Sequence, residues 1–253
     1  MRLHLAVAVL LCVLGLGSCR RPPAAAPTVF LVGDSTMAPK EDRYRPETGW
    51  GEHLADYLTD GVAVENFARN GRSTKSFVAE GRWQLVMERV TAGDYVFVQF
   101  GHNDSKTASA SYSTPAEYAA NLRSFVAEVR GRGAYPVLLT PVVRRHFDAD
   151  GRLERTHGDY PAAARRAARE TGTPLIDITE RSRALVAGLG DASSRELYLW
   201  LPPGQHPNYP EGVEDNTHFS PAGARAVAGL VAAGIRREKL PLRRYLRRKP
   251  VVP

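Results

Sequence analysis

The sequence predicts an α/β protein built on a parallel sheet with helices on both faces. Three observations carry this. Short unbroken apolar runs recur at Val29-Phe30-Leu31-Val32, Tyr95-Val96-Phe97-Val98-Gln99-Phe100, Val137-Leu138-Leu139 and Pro174-Leu175-Ile176-Asp177-Ile178. Such runs suit strands buried on both faces. Segments with helical spacing lie between them, at distances that fit βαβ crossovers. Each run also ends in small or polar residues, so the chain leaves the sheet at the edge where open α/β folds bind ligands.

The first strand, Val29 to Val32, is ended by Gly33 and followed by Asp34-Ser35-Thr36-Met37. Ser35 is placed at the sheet's carboxyl edge with Asp34 behind it. Gly49-Trp50-Gly51 leads into a helix with Leu54, Tyr57 and Leu58 on one face. Val62 to Phe67 alternates more than the first strand does, which predicts an edge position, and it runs into the turn-rich Ala68-Arg69-Asn70-Gly71-Arg72-Ser73. Trp83, Val86, Met87 and Val90 have helical spacing. The Tyr95 strand is ended by Gly101-His102-Asn103-Asp104.

Thr114-Pro115-Ala116-Glu117 is a capping box with proline at the first helical position. The helix it opens carries Tyr118, Leu122, Phe125, Val126 and Val129 and stops near Gly131. After the Val137 strand, residues 141–159 read as a long loop rich in arginine and histidine. Tyr160-Pro161 opens a further helix that ends at Gly172. Beyond the Leu175 strand, residues 191–217 read as an irregular insert closed by Asp215-Asn216-Thr217-His218. Ser220-Pro221 starts the last helix, through Ile235.

The chain has 253 residues, 43% hydrophobic and 24% charged, which is enough for one sizeable core. Residues 1–18 read as a signal peptide: Arg2 precedes an apolar stretch from Leu5 to Leu16 that is too short to span a bilayer. Leu16-Gly17-Ser18-Cys19 resembles a bacterial lipobox, so Cys19 is the expected lipidation site, and ordinary cleavage without a lipid is the alternative. Residues 19–27, rich in proline and alanine, form a tether, residues 28–237 the folded domain, and residues 238–253 a basic tail. Export and a lipid anchor in the bacterial outer membrane follow. Cys12 leaves with the signal, so neither a disulfide nor a cysteine site is available.

The net charge of +7 is unevenly placed. Eight of the 34 basic residues lie in 236–253 against Glu238 alone, and the remainder balances 26 bases with 26 acids. The charge therefore belongs to a solvated tail and not to a nucleic-acid-binding face; contact with an anionic polymer or lipid head groups is the sharper reading.

Gly-Asp recurs as a turn pair at Gly93-Asp94, Gly158-Asp159 and Gly190-Asp191, so Gly33-Asp34-Ser35 carries no chemistry alone. The other strand ends give it meaning. The second offers Gly71, whose backbone N–H is open to close approach. The third offers the Asn103 amide. Acyl transfer needs such a set, because a serine needs a base and the tetrahedral oxyanion needs prearranged donors. His218 is the base and Asp215, three residues earlier, its orienting carboxylate, in the chain order Ser, Asp, His.

Gly33-Asp34-Ser35, Asn66-Phe67-Ala68-Arg69-Asn70-Gly71, Gly101-His102-Asn103-Asp104 and Asp215-Asn216-Thr217-His218 resemble, in order, the four blocks of the SGNH (GDSL-like) hydrolases. Gly49-Trp50-Gly51, Gly71-Arg72-Ser73, Gln99 to Asp104 and Asp215 to Ser220 are similar to the rhamnogalacturonan acetylesterase branch. The resemblance implies Ser35 as nucleophile, with the Ser35 N–H, the Gly71 N–H and the Asn103 amide as oxyanion donors. Asp34, Asn66 and His102 support them. It also implies a flavodoxin-like three-layer α/β/α sandwich whose five-stranded parallel sheet has the order 2-1-3-4-5.

Trp50 and Trp200 are candidates for stacking on sugar, or for the core. Arg72, Arg144 and Arg145 are candidates for uronate carboxylates, or for plain solvation. A metal site at His102, His206 and Asp215 is not expected, because no short ligand spacing recurs, and no cofactor is expected. The reading is a monomeric serine esterase that removes acetyl groups from plant cell-wall polysaccharide, with the rhamnogalacturonan of pectin as first candidate. A deacetylase of xylan or other glycans, a sugar O-acyltransferase, an inactive carbohydrate-binding lipoprotein and a metallophosphatase remain as alternatives.

Overall fold

A computed structural model describes residues 26–248. The signal segment and Cys19 lie outside the described residues, as does most of the tether. Five strands form one parallel sheet: β1 (Val29–Gly33), β2 (Val64–Asn66), β3 (Tyr95–Gln99), β4 (Tyr135–Leu139) and β5 (Leu175–Ile176). Their order is β2-β1-β3-β4-β5, all neighbours parallel. The expected order is therefore found, with the alternating strand at an edge.

Side chains of a strand point alternately to its two faces, and two separate cores result. Val29, Leu31, Phe97, Val137, Leu139 and Ile176 face one way. There they meet a 3₁₀ helix (Trp50–Tyr57), α5 (Ile178–Ser194) and α6 (Pro221–Arg237). Phe30, Val32, Val96, Val98 and Leu138 face the other way. They meet α1 (Thr74–Ala79), α2 (Arg82–Arg89), α3 (Pro115–Gly131) and α4 (Tyr160–Thr171).

Helix starts follow the sequence signals. The Thr114 hydroxyl accepts from the Glu117 N–H while the Glu117 carboxylate accepts from the Thr114 N–H. The Ser220 hydroxyl accepts from the Gly223 N–H at the start of α6. Gly223 is required for a different reason: a Cβ there would lie 1.7 Å from the Leu197 carbonyl oxygen.

The helix expected after Trp50 is a 3₁₀ helix. Two expectations need correction. The insert is more regular than its prolines suggested: after a kink at Gly190 (φ +73°) a further helical turn reaches Ser194, and β6 (Tyr198–Leu201) pairs antiparallel with β7 (Val213–Phe219). Residues 238–248 are not a solvated tail. Leu240 and Leu242 are buried, and the Arg247 N–H donates to the Tyr57 carbonyl at 2.9 Å. The Tyr245 carbonyl accepts from the Thr59 N–H at 2.8 Å, and Arg247 pairs with Asp60. Leucines between the arginines dock this strap while the charged heads stay outward.

Candidate active site

The connection after β1 passes over the α5/α6 face, whereas the connection after β3 passes over the opposite face. A crevice forms where two adjacent strands diverge in this way. Ser35 follows β1 and Asn103 follows β3, so both stand at that divergence.

Ser35 is 7% exposed. Its loop is wound tight by Asp34, whose Oδ1 accepts from the Thr36 N–H at 3.0 Å and from the Thr36 hydroxyl at 2.8 Å. Burial pushes the Asp34 carboxyl above its ordinary value, against these two hydrogen bonds. Thr36 in turn accepts from the Gln99 amide at 2.8 Å, and Gln99 accepts from the Trp50 indole N–H at 2.6 Å. Trp50 is thus 0% exposed and hydrogen-bonded inside the core. Its reading as a sugar platform is corrected, because a ring needs an open face to stack on substrate.

The His218 Nε2 stands 2.8 Å from the Ser35 Oγ, and the His218 Nδ1 stands 2.7 Å from the Asp215 Oδ2. A carboxylate only accepts, so the proton lies on Nδ1 and Nε2 is free to accept from the serine. The other carboxylate oxygen, Asp215 Oδ1, accepts from the backbone N–H groups of Thr217 at 2.6 Å and His218 at 2.9 Å. Burial pushes the Asp215 carboxyl up. The hydrogen bond and charge of His218, with these backbone donors, outweigh it and hold the group below its ordinary value.

Residues three apart on a regular strand point to opposite faces. Here Tyr198 faces Phe219 while Leu199 faces Asp215, so one step on β6 matches four on β7. Asn216, Thr217 and His218 are thrown out as a bulge, which turns His218 back onto Asp215. Asn216 anchors the bulge. Its Oδ1 accepts from Arg145 Nη1 at 2.7 Å and from the Trp200 indole N–H at 2.9 Å.

The second and third blocks lie on two loops that are tied together. The Asn103 Nδ2 donates to the Arg72 carbonyl at 3.0 Å, and its Oδ1 accepts from Lys106 at 3.0 Å. One amide hydrogen of Asn103 is left over. Gly71 has φ +77° and open space around its Cα. Among the described residues, neither the Ser35 N–H nor the Gly71 N–H meets an acceptor. Asn66 closes the base of this arrangement, donating to the Met37 carbonyl at 2.9 Å and accepting from the Ala68 N–H at 3.0 Å.

The remaining candidates are placed as follows. His102 is buried, its Nδ1 3.1 Å from the His157 Nε2. Arg144 donates to the His102 and Thr156 carbonyls. Arg72 is committed to Glu80 and to the Asn70 carbonyl. Arg145 is buried, which corrects its reading as a solvated or uronate-binding arginine. The Trp200 ring, half-buried, has the guanidinium groups of Arg145 and Arg195 at 4.9 and 4.5 Å from its centre. His206 lies beside Tyr209, in the turn between β6 and β7. Sequence reasoning missed Thr36, Lys40 and Glu47. None of these belongs to a short pattern that signals its partner.

Residues 31–226 match the GDSL-like lipase/acylhydrolase family. The chain is 45% identical over 219 residues to the rhamnogalacturonan acetylesterase RhgT of Bacillus subtilis, covering 86% of this chain and 93% of the relative. It is 27% identical over 228 residues to a rhamnogalacturonan acetylesterase of Emericella nidulans, covering 82% and 84%. The crystal structure of protein YXIM of Bacillus subtilis is similar with a TM-score of 0.73 at 26% identity, over 87% of this chain and 58% of that one. An acetylxylan esterase of Geobacillus stearothermophilus shares the fold with a TM-score of 0.59 at 20% identity, over 85% and 95%. A nucleophile-sized serine, a histidine and an aspartate in line at the divergence of a 2-1-3-4-5 sheet agree with these likenesses, and the chain belongs to the GDSL-like lipase/acylhydrolase family.

Proposed function

We propose that this protein is a serine esterase that removes O-acetyl groups from plant cell-wall polysaccharide, with rhamnogalacturonan as its substrate. The observation that carries the reading is the unbroken line Ser35 Oγ, His218, Asp215, at 2.8 and 2.7 Å. The relatives named as rhamnogalacturonan acetylesterases direct it to that substrate.

In this mechanism the His218 Nε2 takes the Ser35 proton as Oγ attacks the acetyl carbonyl carbon. The carbonyl oxygen becomes an oxyanion, received by the Ser35 N–H, the Gly71 N–H and the free amide hydrogen of Asn103. His218 then gives its proton to the departing sugar oxygen, leaving an acetyl ester on Ser35. Water, deprotonated by the same nitrogen, attacks that ester, and acetate leaves as the serine recovers its proton. Asp215 holds the imidazole in one tautomer and stabilises its charged form throughout.

All five residues come from one chain, which supports action as a monomer. Export and a lipid on Cys19 complete the reading, on the strength of the N-terminal sequence. Acetate release from acetylated rhamnogalacturonan oligosaccharides tests the function, with acetylated xylan and a sugar acceptor alongside. Ser35→Ala is expected to abolish release while the protein stays folded. Faster release from xylan, or acetyl transfer to the acceptor, would redirect the assignment. Fatty-acid labelling lost in Cys19→Ala is the expected result for the anchor.

A further inference from the structure

A buried lysine stands behind the nucleophile. The Lys40 side chain is 1% exposed. Its ammonium meets three oxygens: the Ser35 carbonyl at 2.5 Å, the Asn70 Oδ1 at 2.8 Å and the Glu47 Oε1 at 2.6 Å. The first two contacts are hydrogen bonds and the third is an ion pair. The three oxygens belong to three different segments: the loop after β1, the loop after β2, and the stretch leading into Gly49-Trp50-Gly51.

Stability does not explain this arrangement. Taking an ammonium out of water costs several kcal/mol, and a buried ion pair is often no better than apolar residues of the same size. The ammonium's other two contacts are more informative. Ser35 carries one oxyanion donor on its backbone. Asn70 directly precedes Gly71, whose N–H is another. Nothing else among the described hydrogen bonds joins Ser35 to the Asn70 side chain. Gly71 is exposed, has a positive φ, and has open space where a side chain would stand. The loop on which Lys40 sits is itself gripped from outside. Asn208 donates to the Asp42 and Arg45 carbonyls, and Tyr209 to the Tyr44 carbonyl.

We propose that Lys40 is a positioning residue for the oxyanion hole, its ammonium fixing the Ser35 and Gly71 backbone donors relative to one another. Lys40 makes no contact with the Ser35 hydroxyl, so it acts through these donors and not on the proton transfer. The inference rests on the esterase reading above. A mispositioned donor weakens stabilisation that exists only in the transition state, so kcat falls while KM is kept.

The test uses the full chain and hydrolysis of p-nitrophenyl acetate, with thermal unfolding recorded for each variant. Loss of hydrolysis in Ser35→Ala checks the underlying reading separately. Lys40→Met alone strands the Glu47 carboxylate and is expected to lower both Tm and kcat. Lys40→Met/Glu47→Met removes both charges. It is expected to recover most of the Tm, while kcat stays about 10–100-fold down and KM stays within about threefold. Asn70→Ala cuts the link to the second loop and leaves the ion pair in place. It is expected to keep the parental Tm and lose about 10-fold in kcat. Parental kcat in Asn70→Ala, or in the double variant once its Tm has recovered, overturns the proposal.

Discussion

Arg145 and Asn216 are joined twice: the Arg145 N–H donates to the Asn216 carbonyl at 2.8 Å, and the Arg145 Nη1 to the Asn216 Oδ1 at 2.7 Å. Asn216 stands between Asp215 and His218, so this pair sets the bulge that turns the imidazole toward Ser35. The arginine is itself held by the Asp191 carbonyl and the Ser194 hydroxyl. Asn216→Ala strands the Arg145 Nη1 and the Trp200 indole N–H. The expected cost is about 1–3 kcal/mol of stability and roughly 10–100-fold in kcat, since small misplacements of a catalytic group are expensive. Steady-state kinetics and denaturant unfolding of the same preparation read both.

Asp215→Asn tests the tautomer. An asparagine donates to Nδ1, which moves the imidazole proton to Nε2 and removes the acceptor for the Ser35 hydroxyl. The loss in kcat is expected to be on the order of 10⁴-fold, with little change in the far-UV spectrum or in Tm. A loss smaller than tenfold would show that Asp215 serves only to cap the bulge.

The central strands were legible because buried parallel strands have to be continuously apolar. The four polar blocks were legible because each follows a strand end, which places its groups at one edge whatever the intervening chain does. The hydrogen-bonded interior was not. Trp50 is as good a sugar platform as a core residue until its indole is seen bonded to Gln99. Lys40 and Arg145 carry full charge, and their residue type predicts exposure; only partners that no short sequence pattern reveals make their burial tolerable. The hairpin β6–β7 was hidden by Pro202, Pro203, Pro207 and Pro210, which lie in its long turn and not in its strands. The strap after α6 was hidden by charge, since two buried leucines among the five bases of residues 238–248 scarcely alter a composition.

The buried histidine pair predicts a loss of stability in acid. His157 is pushed down to about 3 by burial and by the Arg144 charge, and burial and the neighbouring His157 hold His102 well below its ordinary value. Unfolded histidines take up protons near pH 6.5. Below that pH the unfolded state binds more protons than the folded one, so stability falls as pH falls, by up to about 1.4 kcal/mol per pH unit for each histidine. Asp104 works in the opposite direction. Burial raises it from 3.8 to about 7, so its folded form keeps a proton that the unfolded form has lost between those values. Comparing His157→Gln with the parent isolates one histidine from this balance. Urea unfolding between pH 5 and 6 is expected to give a slope flatter by about 1.4 kcal/mol per unit in the variant; parallel slopes would mean that His157 titrates alike in both states.

The C-terminal strap is expected to act on stability before it acts on any ligand. Leu242 is 0% exposed and packs in the same core as Val231, Ile235 and Leu58. Removing three of its carbons leaves a cavity, with an expected cost of about 2–5 kcal/mol, which for a domain of this size is roughly 4–20 °C in Tm. Arg243→Ser/Arg244→Ser removes charge from the same strap without touching the buried leucines, and is expected to leave Tm within about 2 °C. Thermal unfolding of the two variants side by side separates docking from charge. Equal Tm values would restore the reading of this segment as a solvated basic tail.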